Sequence, residues 1–195
     1  MFKIRLLYPI GQLLFLPHIL LFIFSKNKKL ILHDLYKKDT PHTGMTLYLD
    51  LSKELLLNKY FRTLFYFRIP NVYTNILRIF YPKHPSFTID IYTKIKGGVV
   101  LAHPYSTIIN AESIGENLYV NHLVTVGEKN GKRPLIGDNV ELHANSMVIG
   151  GVKIGDNVIV GAGAVVVKDI PDNVVVVGNP AKILKKISKD IGLMR

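Results

Sequence analysis

Few residues in this chain could do covalent or proton chemistry, and the most interesting is a single histidine. It is His103, within "VLAHPYSTII" (100–109), surrounded by small and aliphatic residues. An imidazole with a reference pKa of about 6.5 can take a proton from a hydroxyl near neutral pH. The same ring is equally at home as an outward residue on a strand, and the local sequence leaves both roles open. A second histidine, His122 in "VNHLVTVG", follows Val120 by two positions, as His103 follows Leu101. The chain has no cysteine, which excludes a thiol nucleophile, a disulfide framework and a thiolate metal site. No metal site of any other kind is expected.

The element that must position His103 is a repeat. Ile136, Leu142, Val148, Ile154, Val160 and Val166 recur every six residues. Glycine follows at 137, 155 and 161, and Asp-Asn pairs stand at 138–139 and 156–157. Upstream, Ile114, Val120 and Val126 keep the period; Ile89, Ile95 and Leu101 keep it one residue out of phase. The slip falls around His103. A period of six fits neither a helix nor a simple hairpin sheet, and is the mark of a parallel β-helix. The aliphatic residue of each hexapeptide points inward and stacks on its counterpart one coil away, about 4.8 Å along the axis. Glycine and asparagine are expected at the corners, where a positive φ is needed. Between Val126 and Ile136 the spacing is ten, and "EKNGKR" (128–133) reads as a loop extruded from the coil.

Residues 1–85 lack the repeat. "LDLSKELLLNKYFRTLFYFRI" (49–69) reads as one helix, "HDLYKK" as the end of an earlier one and "NVYTNILRIFY" (71–81) as another. Pro82 and Pro85 mark the passage to the first coil. The segment from Ile4 to Phe24 is apolar and about long enough to span a bilayer, but Pro9, Gln12, Pro17 and His18 interrupt it and no cleavage site follows. It reads as helices lying on a membrane surface or docked on the protein as a cap. After the repeats, "AKILKKISKDIGLMR" (181–195) reads as a basic amphipathic helix closing the far end. The fold class is therefore mainly β: a left-handed parallel β-helix over 86–180, with an N-terminal helical region (1–85) and a C-terminal helix (181–195). The formal charge of +11 points to an anionic partner. No nucleic-acid motif or aromatic interleaving accompanies it, so nucleic acid is not expected.

"VGAGAVVVKDIPDNVVVVGNPAKIL" (160–184) resembles the C-terminal signature of the left-handed hexapeptide-repeat acyltransferases. Within them, the order of "TIDIYTKIKGGVVLAHP", "VTVG", "GKRPLIGDNV" and "IGGVKIGDNVIVGAGAVVVKDIP" is similar to the serine acetyltransferase branch and its polysaccharide O-acetyltransferase relatives, over about residues 86–185. The resemblance implies the left-handed winding, a homotrimer, acetyl-CoA as donor and a hydroxyl as acceptor. It assigns His103 as general base, eight residues after a column isoleucine as in that branch. The aspartate that orients the histidine there falls on Thr88 here, which leaves Asp90 or Glu112 for the task. Lys132 and Arg133 stand in the acceptor-side motif, where the branch has a second histidine, and Ala102 replaces an aspartate before His103. His122 is placed on the same acceptor side. Coenzyme contacts fall on Ala144, Ala162, Gly163, Lys168, Lys182 and Lys185. With three acceptor features changed, the expected acceptor is a sugar or polysaccharide precursor. Serine, as in cysteine biosynthesis, is the alternative, and a non-catalytic β-helix scaffold the second. The expected location is cytoplasmic, with contact at the inner face of the membrane.

Overall fold

The computed structural model describes residues 14–37, 40–70 and 72–187. The chain divides into two compact units, residues 1–85 and 86–195.

The first unit is helical. It contains α1 (Leu16–Ile23), α2 (Lys28–Tyr36), α3 (Gly44–Leu57), α4 (Lys59–Arg68) and α5 (Val72–Phe80). The single helix expected over 49–69 is two. Asn58 breaks it: its side-chain oxygen accepts the N–H groups of Tyr60 and Phe61 at 3.1 and 3.0 Å, which starts α4 afresh. The core joins Phe15, Phe22, Ile31, Leu51, Leu55, Phe65 and Tyr66. Polar groups are buried within it in pairs. Arg68 donates to both oxygens of Asp34, at 2.8 and 3.2 Å, with each side chain almost fully enclosed. His18 lies 2.8 Å from the Tyr66 hydroxyl, and burial lowers its pKa to about 4, helped by the nearby Arg62 charge. Among the described residues, no helix is long and apolar enough to cross a membrane. Residues 4–13 of the apolar N-terminal segment lie outside the described residues.

The second unit is a parallel β-helix of about five turns. Its three sheets are A (β1 Phe87–Ile89, β4 Thr107–Ile109, β7 Thr125–Gly127, β10 Met147–Ile149, β13 Val165–Val166), B (β2 Lys94–Ile95, β5 Ser113–Ile114, β8 Leu135–Ile136, β11 Lys153–Ile154) and C (β3 Val100–Leu101, β6 Tyr119–Val120, β9 Glu141–Leu142, β12 Ile159–Val160, β14 Val174–Val177, β15 Lys182–Lys186). The six-residue period becomes inward columns in register: Ile109, Val126 and Val148 in A, Ile114, Ile136 and Ile154 in B, Leu101, Val120, Leu142 and Val160 in C. Nearly all of these side chains are sealed from solvent.

Asparagine and glycine serve different needs at the corners. Asn117, Asn139, Asn157 and Asn173 do adopt positive φ, from 55° to 59°. Their amides also chain along the axis, each donating to the next at 3.0–3.1 Å. Gly115, Gly137 and Gly155 do not need positive φ; they are required by close approach. A Cβ at any of them would collide with the aspartate of the next coil: Asp138, Asp156 or Asp172. Those carboxylates accept the backbone N–H groups of Glu116, Asp138 and Asp156 at 2.7–2.9 Å.

The tail departs from expectation. Residues 182–186 are not a helix but β15, antiparallel to β14, and exposed along its length. The Lys-Ile-Leu-Lys-Lys spacing suits a helix, but the last coil offers β14 as an open sheet edge with unpaired backbone groups. The chain reverses at Gly178 (φ 93°) and pairs with it. Residues 188–195 of the expected helix lie outside the described residues.

Candidate active site

The coil is a prism with three edges, and each candidate residue can be placed on one of them. His103 lies on the edge between sheets C and A. The usual step from a column residue of C to one of A is six, as from Val120 to Val126. From Leu101 to Ile109 it is eight. The next step, Ile109 to Ile114, is five, so the phase slip read in the sequence is two residues gained at the His103 corner and one lost at the next. The enlarged corner holds His103 at φ 53° and Ser106 at φ 51°. A non-glycine residue in that region is uncommon and sits there only when its surroundings impose it. Here Pro104 is buried and the Tyr105 N–H closes a tight turn onto the His103 carbonyl at 2.7 Å. The His103 side chain is thereby pushed into solvent.

Strand register then defines a file of residues along this edge. Counting two beyond Val120, Leu142 and Val160 gives His122, Ala144 and Ala162; in the first coil the Leu123 N–H donates to the Tyr105 carbonyl as the Asn145 N–H does to His122, so Tyr105 completes the file and His103 stands in the enlarged corner just before it. His122 is half-buried. Its ring lies parallel to Tyr105, 3° between planes and 5.3 Å between centroids, and its Nδ1 sits 2.6 Å from the Asn121 side-chain oxygen. Beyond the two rings the file becomes small: Ala144, Ala162, then Gly163 at φ 70°, whose N–H donates to the Ala144 carbonyl at 2.9 Å. Two aromatic rings therefore open onto a strip with almost no side-chain bulk. Lys182 begins the strand that pairs with the end of β14, at the C-terminal end of this edge.

Asp90, Glu112, Lys132 and Arg133 are on another edge, between sheets A and B. Arg133 donates to Glu112 at 2.7 Å and lies 4.0 Å from Asp90. The loop over 128–133 is a tight hairpin. Lys129 and Lys132 exchange backbone hydrogen bonds at 3.0 and 3.1 Å, with Asn130 and Gly131 both at positive φ. That is the turn an Asn-Gly pair favours, a signal legible in the sequence beforehand. The hairpin folds down the prism: a Cβ on Gly151 would meet the Lys132 Cβ at 2.8 Å. Between this edge and His103 runs a full three-residue strand of sheet A, about 10 Å of chain. Within one chain, then, neither carboxylate is brought to His103. Lys168 is on this A/B edge as well, and Lys185 lies further along β15, opposite Val175.

Sequence reasoning passed over three groups on this edge, two of them in contact with His122. Tyr105 is its stacking partner, and Asn121 fixes its ring. His143, in register with Asn121, lies 3.1 Å from Glu141 and packs on Tyr119 at 5.7 Å. A column count, applied to outward as well as inward positions, would have found all three.

Residues 133–168 match the family described as bacterial transferase hexapeptide (six repeats). In sequence the chain is similar to the serine acetyltransferase of Buchnera aphidicola, 40% identical over 109 residues, which are 52% of this chain and 42% of that one. It is similar to the serine acetyltransferase of Staphylococcus epidermidis at 36% over 104 residues, 51% of this chain and 49% of the other. The chain thus spans less than half the length of these relatives. In structure it is similar to the Neisseria gonorrhoeae serine acetyltransferase solved in complex with serine, with a TM-score of 0.60, 29% identity, and 80% and 68% of the two chains covered. The Brucella abortus serine acetyltransferase solved with coenzyme A shares the fold, with a TM-score of 0.61 over 82% and 67% of the chains at 21% identity. Repeat, sequence and fold together are similar to those of the hexapeptide-repeat serine acetyltransferases, and the fold is their left-handed β-helix.

Proposed function

We propose that this chain, built on the coil of the serine acetyltransferases, is an acetyl-CoA-dependent O-acetyltransferase with His103 as its general base. The observation that carries the reading is the enlarged corner. It costs a regular solenoid two extra residues and, at His103, one positive φ that the other turns of this edge lack, and its effect is to hold one imidazole in solvent beside the head of a small-residue strip.

Acetyl-CoA supplies an activated thioester carbon. Ala144, Ala162 and Gly163 leave room for an extended pantetheine arm along the edge, and Lys182 stands where its anionic end would arrive. His103 takes the proton of the acceptor hydroxyl as that oxygen attacks, a role that contributes about 10²–10⁴-fold in rate. His122, clamped by Asn121 and Tyr105, lines the acceptor side.

The carboxylates reach this site from a second copy of the chain. Asp90, Glu112 and Arg133 form a cluster one sheet's width from His103, so only the A/B edge of a neighbouring subunit could meet it. The outward column of sheet A supports such packing: Thr88, Ile108, Thr125, Met147 and Val165 are in register and mostly apolar. The corresponding column of sheet B is more polar: Lys94, Ser113, Leu135 and Lys153. Three-fold assembly buries the first and brings unlike edges together.

Serine is the acceptor named in the relatives and is the first acceptor to test. A sugar hydroxyl is the second, favoured by one observation: the side chain beside His103 is the methyl group of Ala102, with no carboxylate to receive an amine. Thiol release from acetyl-CoA with serine, and with a panel of sugars and glycan precursors, separates the two. His103→Ala is expected to lower turnover at least 100-fold with the coil intact, since the ring is exposed. Near-normal turnover in that variant would remove His103 from the mechanism.

A further inference from the structure

One helix of the N-terminal unit is turned inside out. In α5, Thr74 is fully buried and Leu77 packs on the core. Arg78 folds inward too, its guanidinium 5.2 Å above the Tyr66 ring and 3.0 Å from the Asn75 side-chain oxygen. The face left outside is apolar: Val72, Ile76, Ile79 and Phe80, with the last two 76% and 73% exposed. Their spacing of i, i+4, i+7 and i+8 makes a single stripe of the width that normally faces a core.

The first helix repeats the arrangement. Phe15, His18, Ile19 and Phe22 point inward, and Leu16, Leu20, Ile23 and Phe24 carry the same i, i+4, i+7, i+8 stripe outward, Phe24 being 82% exposed. The two helices are neighbours. The Tyr81 hydroxyl, one residue past α5, donates to the Leu14 carbonyl at 3.1 Å, and its ring packs on Phe15 at 4.7 Å. Basic residues flank both stripes: Lys26, Lys28 and Lys29 follow the first, and Lys83 follows the second. Residues 1–85 contain thirteen Lys and Arg against four Asp and Glu, so nine of the chain's eleven net positive charges lie in this unit.

We infer that the α1–α5 face of the N-terminal unit is a docking surface for an anionic lipid bilayer, with the two apolar stripes seated at the level of the headgroups. An apolar stripe on a short helix, ringed by Lys and Arg, is what a membrane interface selects: buried apolar area supplies the hold, and anionic headgroups add attraction at each basic residue. A protein partner of ordinary charge would match the stripes but not the excess of cations around them. The contact lies in the interface plane, since no described helix spans a bilayer. It needs no chemistry at His103, so it stands or falls apart from the acetyl-transfer reading.

Flotation of the full chain with vesicles tests it. Vesicles containing phosphatidylglycerol should bind at least tenfold more protein than pure phosphatidylcholine, and 0.5 M salt should weaken that binding several-fold. The triple variant Ile76→Ser, Ile79→Ser, Phe80→Ser, at three positions that are each more than half exposed, should lose binding at least tenfold with little change in melting temperature. Absence of flotation with anionic vesicles, or equal flotation of the variant, overturns the inference. So does a fall in the lipid-free oligomeric mass of the variant, which would assign the face to a second copy of the chain.

Discussion

The two halves of this protein bury their cores by opposite means. In the coil, the interior is made of aliphatic columns, each residue meeting its equivalent one turn away, and the polar backbone is satisfied mostly by neighbours fifteen to twenty-two positions off. In the helical half, the core is aromatic and encloses charge: an ion pair joins residues 34 apart and a histidine meets a tyrosine 48 apart. A repeat states its solution many times over. A helical cluster with singular pairs states it once, and a single wrong residue has no copies to average against.

The sharpest way to press that contrast is to remove one member of the singular ion pair. Asp34→Ala leaves the Arg68 guanidinium buried without its carboxylate and should cost about 3–5 kcal/mol. The loss should appear as early melting of helical signal while the β signal of the coil persists. Coincident melting of both would show that the halves are not independent in stability.

Acid should separate them next. His18 has its pKa lowered to about 4 in the folded state from 6.5 in the unfolded chain. Between those values the unfolded chain binds the extra proton, so stability falls as pH drops from 6.5 to 4 and levels off below. The displacement corresponds to about 3 kcal/mol. Helical stability, measured by denaturant at stepped pH, should follow this curve, and His18→Gln should flatten it. An unchanged slope in the variant would move the effect to another group.

The mildest test is on the coil itself. Asn139→Ala removes two links of the amide ladder, those to Asn117 and Asn157, and places alanine at φ 56°, the backbone term alone costing about 1–2 kcal/mol. The Asn157–Asn173 link and the backbone ladders of the coil remain, so urea unfolding should stay cooperative with a lower midpoint. A loss beyond 4 kcal/mol would mean that the ladder acts as one unit rather than as repeats.

What could be read from the chain follows the same divide. The inward columns were legible because six-residue spacing is a geometric statement, and the slip near His103 was legible as a departure from it. The corner that slip builds needed coordinates, since nothing local says that eight residues there are followed by five. The separation of Asp90 and Glu112 from His103 was hidden for a related reason: residues close in sequence fall on different edges of a prism. Asn58 divided one apolar run into two helices by a cap that periodicity alone does not register. The tail misled because its own spacing favours a helix, and the competing partner, β14, is a tertiary fact.

That tail has a further consequence. Every earlier turn of the coil leaves behind a parallel strand, a template on which another turn of the same sense can be laid. Because β15 runs the other way, and the Ala181 and Ile187 N–H groups bind back to Val165 and Asn173 at 2.8 Å, the terminal layer no longer has the polarity a following rung requires. The reversal works as a stop codon written in hydrogen bonds: it fixes the length of the column and denies end-to-end growth into a fibre.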